Sequence, residues 1–140
     1  MKLVRIVTLV LGSYIAIALA LDGAIGTFQP RSPHTAVLRT FDIAGNSRDT
    51  VLGLLEEDGQ LWVESGHWFR GWYHRLQKQP RVELIRNGET AWFEAVPVDN
   101  PEAVDRITRL MGKGAGAAYW AGRAMLLWAP IKPVRLDPVS

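Results

Sequence analysis

The chain reads as an α+β protein: a small antiparallel β-barrel with one or two flanking helices, preceded by an N-terminal apolar helix. Three observations predict this. Asp58-Gly59 and Asn87-Gly88 each stand between runs with strand character, and both pairs tolerate the positive φ that a type I′ hairpin demands at its two central positions. Asn100-Pro101-Glu102 has the order of a helix start, with a capping amide, a proline where no donor is needed and an acid near the positive dipole end. The third is the run Ile6 to Leu21, which holds no charge. Strands this apolar would pair with other chains if their edges stayed open, so the sheet is expected to curl.

Composition sets the outer limits. A chain of 140 residues has room for one domain, and 48% hydrophobic content with six Trp is enough for a packed interior without staples. The absence of Cys removes disulfides, thiolate nucleophiles and most zinc architectures together. The excess of 16 basic over 14 acidic residues is Lys2 and Arg5, so the rest of the chain is neutral. A polynucleotide binder needs a net or segregated positive field. Here only Arg70 to Arg86 is locally basic, through Arg70, Arg75, Lys78, Arg81 and Arg86, which points to a small anionic ligand and to no nucleic acid.

Residues 1–21 carry Lys2 and Arg5 before the apolar run, and two readings stay open. With Leu3 and Val4 added and Arg5 snorkelling, the segment is long enough for a transmembrane anchor. The same letters give a secretory signal with Ala18-Leu19-Ala20 as a small-x-small cleavage site, and so an exported domain after cleavage at Ala20. Lys2 and Arg5 on one side balance Arg31 and Arg39 on the other, so the positive-inside count leaves the side of an anchored domain undetermined. Residues 22–34, with Gly23, Gly26, Pro30 and Pro33, read as a linker, and the barrel is expected over residues 35–140.

Thr35 to Ile43 alternates, which places Val37, Phe41 and Ile43 on a core face and Leu38 opposite. Ala44-Gly45-Asn46-Ser47 is a turn. Thr50 to Glu57 and Gln60 to Glu64 form the first hairpin, and Val82 to Arg86 with Glu89 to Val98 the second. Between them a short aromatic helix is expected over Trp68 to Gln79, ended by Pro80. The capped helix carries Val104, Ile107 and Met111 on one face and stops at Gly112 to Gly114; Gly112 to Ala118 reads as a mobile flap. Met125 to Trp128 and Val134 to Leu136 read as closing strands on an edge, because Pro130 and Pro133 interrupt them.

The chemistry-bearing residues gather around the aromatic helix. His67, Arg70 and His74 share a face if that helix begins by His67, offering donors to a phosphate or carboxylate or simply forming its wet side. A haem or metal role for the histidines needs more ligands than the spacing supplies, and no metal is assigned. Trp68, Trp72 and Leu76 make a stripe that is a core face more often than a cofactor wall. Ser65-Gly66 ends a strand and either presents backbone N–H groups to a phosphate or makes a plain turn. No Ser can be tied to a His and a carboxylate, so in an enzyme the chemistry would be a cofactor's.

Trp72-Tyr73-x-x-Leu76-x-x-x-Pro80-x-Val82-Glu83-Leu84-x-x-x-Gly88 resembles the helix-to-strand signature of the deazaflavin-dependent nitroreductase family. Those proteins are split β-barrels related to the flavin reductases and pyridoxamine-phosphate oxidases. Arg48-Asp49-Thr50-Val51-Leu52 is similar to the family's arginine-containing second strand, and Ser65-Gly66 to its serine-glycine turn; the similarity covers about Leu38 to Val98. The resemblance implies a bound deazaflavin or FMN with its phosphate near Ser65, Gly66 and the basic helix. It also implies hydride transfer to a quinone or nitroaromatic acceptor, in a membrane-tethered oxidoreductase whose catalytic residues are unassigned. Carried over position by position, the cofactor contacts are Arg48, Ser65, Gly66, Trp72 and Tyr73, with His67 and Arg70 standing where the family has further phosphate donors. The segment before Arg48 is reduced to Ala44-Gly45-Asn46-Ser47, and the loop after Ser65 is short. These departures leave open a non-catalytic ligand-binding envelope module on the same barrel. Assembly as a homodimer is likewise left open.

Overall fold

A single residue, Leu54, joins the two strands at opposite edges of the sheet, and this link makes the sheet close. The structure, a computed structural model, describes residues 1–28 and 31–139. Its elements in chain order are α1 (Lys2–Phe28), β1 (Thr35–Phe41), β2 (Ser47–Gly53), β3 (Leu55–Glu57), β4 (Gln60–Ser65), α2 (Gly71–Lys78), β5 (Arg81–Arg86), β6 (Glu89–Pro97), α3 (Pro101–Ala115), α4 (Ala117–Met125) and β7 (Lys132–Pro138). The strands form one antiparallel sheet in the order β2-β1-β5-β6-β7-β4-β3. β2 and β3 are its two edges, yet only Leu54 lies between Gly53 and Leu55. The sheet therefore curls into a half-barrel until those edges meet. There the Leu54 N–H donates to the His34 carbonyl (3.0 Å) and its side chain packs on the core.

The two hairpins turn where the sequence places them, with positive φ at Asp58, Gly59, Asn87 and Gly88. Leu38, Val63, Val82, Val134 and Leu136 are buried inside the curl, and Trp72, Tyr73 and Leu76 of α2 enter the same cluster. A second cluster on the other face joins Trp62 to Ala103 and Ile107 of α3. The Asn100 side chain caps α3 by accepting from the Ala103 N–H at 2.8 Å.

Several expectations are corrected. The core face of β1 is the opposite one: Ala36, Leu38 and Thr40 are buried, while Ile43 lies beyond the strand and is exposed. The reason is electrostatic as much as apolar. Arg39 must stay on the outer face to pair with Asp49 at 2.7 Å and Glu83 at 3.0 Å on its two neighbouring strands, and Phe41 on that face stacks on Trp92. Thr50 to Glu57 is broken at Leu54 into two strands that pair with different partners.

α2 begins at Gly71 and not at Trp68, because the N–H groups of Trp68 and Phe69 are given to a side chain (described below). α3 runs past its glycines to Ala115. Of the expected flap, Gly112 to Ala115 end α3 and Ala117 and Ala118 begin α4, which also takes in Met125. β7 lies inside the sheet, between β6 and β4. It tolerates Pro133 because that residue's carbonyl faces β6 and accepts from Val98, just past the end of β6, where a missing donor leaves no ladder bond unmade.

Helix α1 is about 40 Å long at 1.5 Å per residue. Within Lys2–Ala24 an 18-residue window has a mean hydropathy of 2.2, so the helix is long and apolar enough to cross a membrane, a test that a signal sequence also passes. The helix continues through residues 22–28 of the expected linker; residues 29–30 of that linker, with Pro30, and Ser140 of the expected barrel lie outside the described residues. One stripe of α1 meets the domain: the Tyr14 hydroxyl donates to the Ala124 carbonyl, and Ala18 and Asp22 are buried.

Leu76 is fully buried where α2 enters the barrel. Leu76→Ala is expected to cost about 2 to 5 kcal/mol, the range for a large-to-small change in a rigid core. Urea unfolding followed by tryptophan fluorescence measures it, and a loss below 1 kcal/mol would mean that α2 is not part of the cooperative core.

Candidate functional site

The loop between β4 and α2 is held from two sides, and it separates two depressions. On one side the buried Asp22 carboxylate accepts from the Trp68 N–H at 3.1 Å and the Phe69 N–H at 2.9 Å, with His67 Nδ1 3.0 Å away. Backbone donors free at the start of a helix usually receive a cap or an anion. Here an acid from a helix far away in sequence fills that role. On the other side Arg70, itself buried, donates from Nε to the His67 carbonyl at 2.9 Å and from Nη2 to the Pro130 carbonyl at 3.2 Å.

The first depression is a groove of about 460 Å³ between β2 and α2, walled by Arg48, Thr50, His67, Phe69, Trp72 and Arg75. Two guanidinium groups converge in it. Arg75 donates from Nε to Thr40 Oγ1 at 2.8 Å, and Arg48 has no ion pair among the described residues. Burial, and then the charge of Arg48, pulls Arg75 below the usual arginine range, with Asp42 opposing. Asp49 also borders the groove, but it is committed to Arg39, which holds its carboxyl below the usual range. Asp22 lines the groove as well, engaged by the Trp68 and Phe69 N–H groups, so two cations face a cleft whose acids are held elsewhere, the arrangement of an anion site.

The second depression, about 310 Å³, lies beneath α3 and α4 and is lined by Glu64, Gly66, His67, Tyr119 and Arg123 among apolar side chains. His67 borders both. Glycine at position 66 leaves room for the Glu64 carboxyl, since a Cβ there would sit 2.9 Å from Glu64 Oε2 and displace it. Glu64 Oε2, Ser65 Oγ and Tyr119 Oη are shielded and without a hydrogen-bond partner. Burial pushes the Glu64 carboxyl up to about 7, against the opposing charges of Arg123 and Arg70.

The residues expected from the sequence are thus divided. Arg48, His67 and Trp72 meet in the groove, and Gly66 with His67 borders the cavity. Ser65 is buried beside them with its hydroxyl unpartnered; Tyr73 is a core residue; Arg70 is a clamp on the loop. His74 is exposed and near Gln77, and does not share a helix face with His67, which precedes the helix. Among the described residues no group of three or more His, Cys, Asp or Glu is placed to hold a metal ion. Sequence reasoning missed Asp22, Glu64, Tyr119 and Arg123. Only Asp22 carried a signal, as the first charge after a long apolar run.

These features suit a planar ring with an anionic tail, the shape of a deazaflavin: cations and an indole face the groove, and an apolar cavity with unpartnered polar atoms adjoins it. Known proteins give the same direction. A structure named an F420-H2 dependent reductase is 15% identical over 74% of this chain and 94% of its own, with a TM-score of 0.59. The haem storage protein HutZ from Vibrio cholerae is 17% identical over 78% and 84%, with a TM-score of 0.58. A protein solved as a domain-swapped dimer matches over 97% and 98% at 18% identity, with a TM-score of 0.60. At these identities the likeness is one of fold. No curated protein matches the chain. A family model described as F420H(2)-dependent quinone reductase spans residues 13–125, from within α1 to the end of α4, and takes in the groove and all of the cavity lining but Leu126 and Ile131. The chain therefore belongs to the F420H(2)-dependent quinone reductase family.

Proposed function

We propose that this protein is a membrane-tethered oxidoreductase that binds a deazaflavin, in preference to FMN, and reduces a quinone-like acceptor. The observation that carries the reading is the convergence of Arg48 and Arg75 beside Trp72, in a groove whose acids, Asp22 and Asp49, are engaged by the loop N–H groups and by Arg39. Arg48 and Arg75 would hold the anionic tail, Trp72 would flank it, and His67 stands where the groove adjoins the cavity. When bound, the reduced deazaflavin supplies a hydride. The protein's part is orientation and the exclusion of water: Phe69 and Trp72 wall the groove, and Met111, Leu126 and Ile131 wall the cavity.

Membrane attachment is supported by more than the composition of α1. Trp68, Phe69, Trp120, Met125 and Trp128 are large, apolar and exposed. They adjoin one another: the Trp68 Nε1–H donates to the Leu126 carbonyl at 3.0 Å, and the rings of Trp120 and Trp128 lie 6.1 Å apart. Tyr14 ties α1 to α4 within this group. From Lys2 to Tyr14 the helix rises about 18 Å, less than the roughly 30 Å hydrocarbon core of a bilayer. An α1 that spans from Lys2 would thus carry Tyr14 and the aromatic rim beside it about 12 Å into the near leaflet, where exposed apolar side chains leave water and indoles lie close to the headgroups.

Two outcomes are expected. Arg48→Ala and Arg75→Ala should each weaken binding of oxidised F420 by about tenfold or more, as for loss of a charge-assisted hydrogen bond. Fluorescence titration with FMN in parallel measures this, and unchanged affinity in both variants would remove the anion site. In vesicles containing bromolipid, the tryptophan fluorescence of the full chain should be quenched. Replacing Trp120 and Trp128 by Phe should remove a large share of that quenching; equal quenching in the two proteins would take the rim out of the membrane.

A further inference from the structure

The cavity beneath α3 and α4 contains an acid that the fold itself does not use. Glu64, one residue before the end of β4, has Oε2 shielded and unpartnered, and Tyr119, which lines the same cavity, has Oη in the same condition. A buried polar atom without a partner is costly, so two such atoms on residues that line one cavity invite a ligand that satisfies both.

The charges around Glu64 come from each side. Arg123 of α4 and Arg70 of the loop before α2 act on it, neither within ion-pair distance. His67 lines the same cavity but lies against Asp22, and Lys132 on the adjoining β7 turns away to Asp99 at 2.6 Å. α3 lends Met111 and Ala115 to the lining and no charge. Burial outweighs the two arginines, so at neutral pH a substantial share of Glu64 is the acid, and below it most, holding an O–H without a partner.

We propose that this cavity is the acceptor site, and that protonated Glu64, together with the Tyr119 hydroxyl, hydrogen-bonds a carbonyl oxygen of a quinone and delivers the proton its reduction consumes. The proposal rests on the oxidoreductase reading above. Reduction of a quinone to the quinol takes one hydride and one proton. The hydride and its electron pair are what the reduced deazaflavin supplies. The O–H bond of Glu64 breaks as an O–H bond forms on the quinone oxygen, and the carboxylate left behind, offset by Arg123 and Arg70, regains its proton from solvent. The acceptor gains two electrons and the cofactor loses two. Walls of Met111, Ala118, Leu126 and Ile131 favour a flat, uncharged ring over an anion.

The test uses the full chain without cofactor and 2-methyl-1,4-naphthoquinone as the probe, read by quenching of tryptophan fluorescence. The wild type is expected to bind it at least fivefold more weakly at pH 9 than at pH 6, and Glu64→Gln to lose that dependence. Tyr119→Phe should bind at least threefold more weakly with the pH dependence kept, and it serves as the milder variant should Glu64→Gln fold poorly. A dependence that persists in Glu64→Gln overturns the proposal, as does pH-independent binding by the wild type.

Folding gives a second readout. A carboxyl raised in the native state favours folding less as pH rises, so the wild-type urea midpoint should fall between pH 5 and pH 8 relative to that of Glu64→Gln. With F420 bound, the turnover of the wild type should decline above about pH 7 while that of Glu64→Gln is low and flat, and F420 affinity should be equal in both. Failure of F420 to bind at all would remove the oxidoreductase reading, while the naphthoquinone titration would still decide the cavity. Normal F420 binding with no Glu64-dependent titration would remove this inference alone.

Discussion

The Asp22 carboxylate is the point on which the arrangement turns. It is buried, it comes from the apolar helix, and it accepts from two consecutive backbone N–H groups and lies within reach of His67 in a loop more than forty positions away. Burying a charge is costly unless it is paired and hydrogen-bonded. These donors offset that cost only while the loop keeps one shape. The loop in turn forms the wall common to the groove and the cavity. Helix docking, loop conformation and the separation of the two depressions are therefore coupled through one group. Arg70 completes the clamp from the other side by spending its donors on the His67 and Pro130 carbonyls. A side chain that looks like an anion donor in the sequence thus acts as a brace, and the anion-facing role falls to Arg48 and Arg75.

The scaffold around that loop is locally consistent nearly everywhere, and the exceptions fall in one region. Hairpin turns, helix cap and core all agree with the pattern of residues that make them. The departures are a pair of like charges facing one groove, a carboxyl held near neutrality, and shielded polar atoms at Glu64, Ser65 and Tyr119. Trp62 Nε1, under α3, is the remaining shielded atom of this kind among the described residues. Such features lower stability, and natural folds keep them chiefly where a ligand is to satisfy them.

How legible the protein was follows from how far apart its determinants lie. The turns at Asp58-Gly59 and Asn87-Gly88 and the Asn100 cap are written in adjacent letters and were readable as such. The barrel followed from them together with the apolar strands. The inward face of β1 was not readable, because it depends on Arg39 finding Asp49 and Glu83 on two other strands. The interior place of β7 depends on where β6 stops, and α4 is built from small residues that give no periodic stripe. Within the site, Arg48, His67 and Trp72 were named from the sequence and do share the groove. Glu64 was invisible, since one acid near the end of a strand looks solvated until helices close over it. Asp22 was visible as a charge at the end of an apolar run, but its partners were not.

The same geometry bears on how an acceptor would arrive. Leu126 lines the cavity, and its carbonyl receives the indole N–H of Trp68, while Gly122 and Arg123 of α4 lie between that cavity and the exposed Trp120 and Trp128. The rim that α1 would draw to the headgroups and the wall of the proposed acceptor site are therefore made of the same short helix. The groove with Arg48 and Arg75 opens on the other side of the His67 loop, where a water-soluble anionic tail can enter. A lipid-soluble quinone would reach Glu64 without first entering bulk water, and the cofactor would reach the arginines without entering lipid. Under this arrangement Asp22 would do more than hold a helix in place: it would fix the loop that the two approaches share, with His67 at the junction.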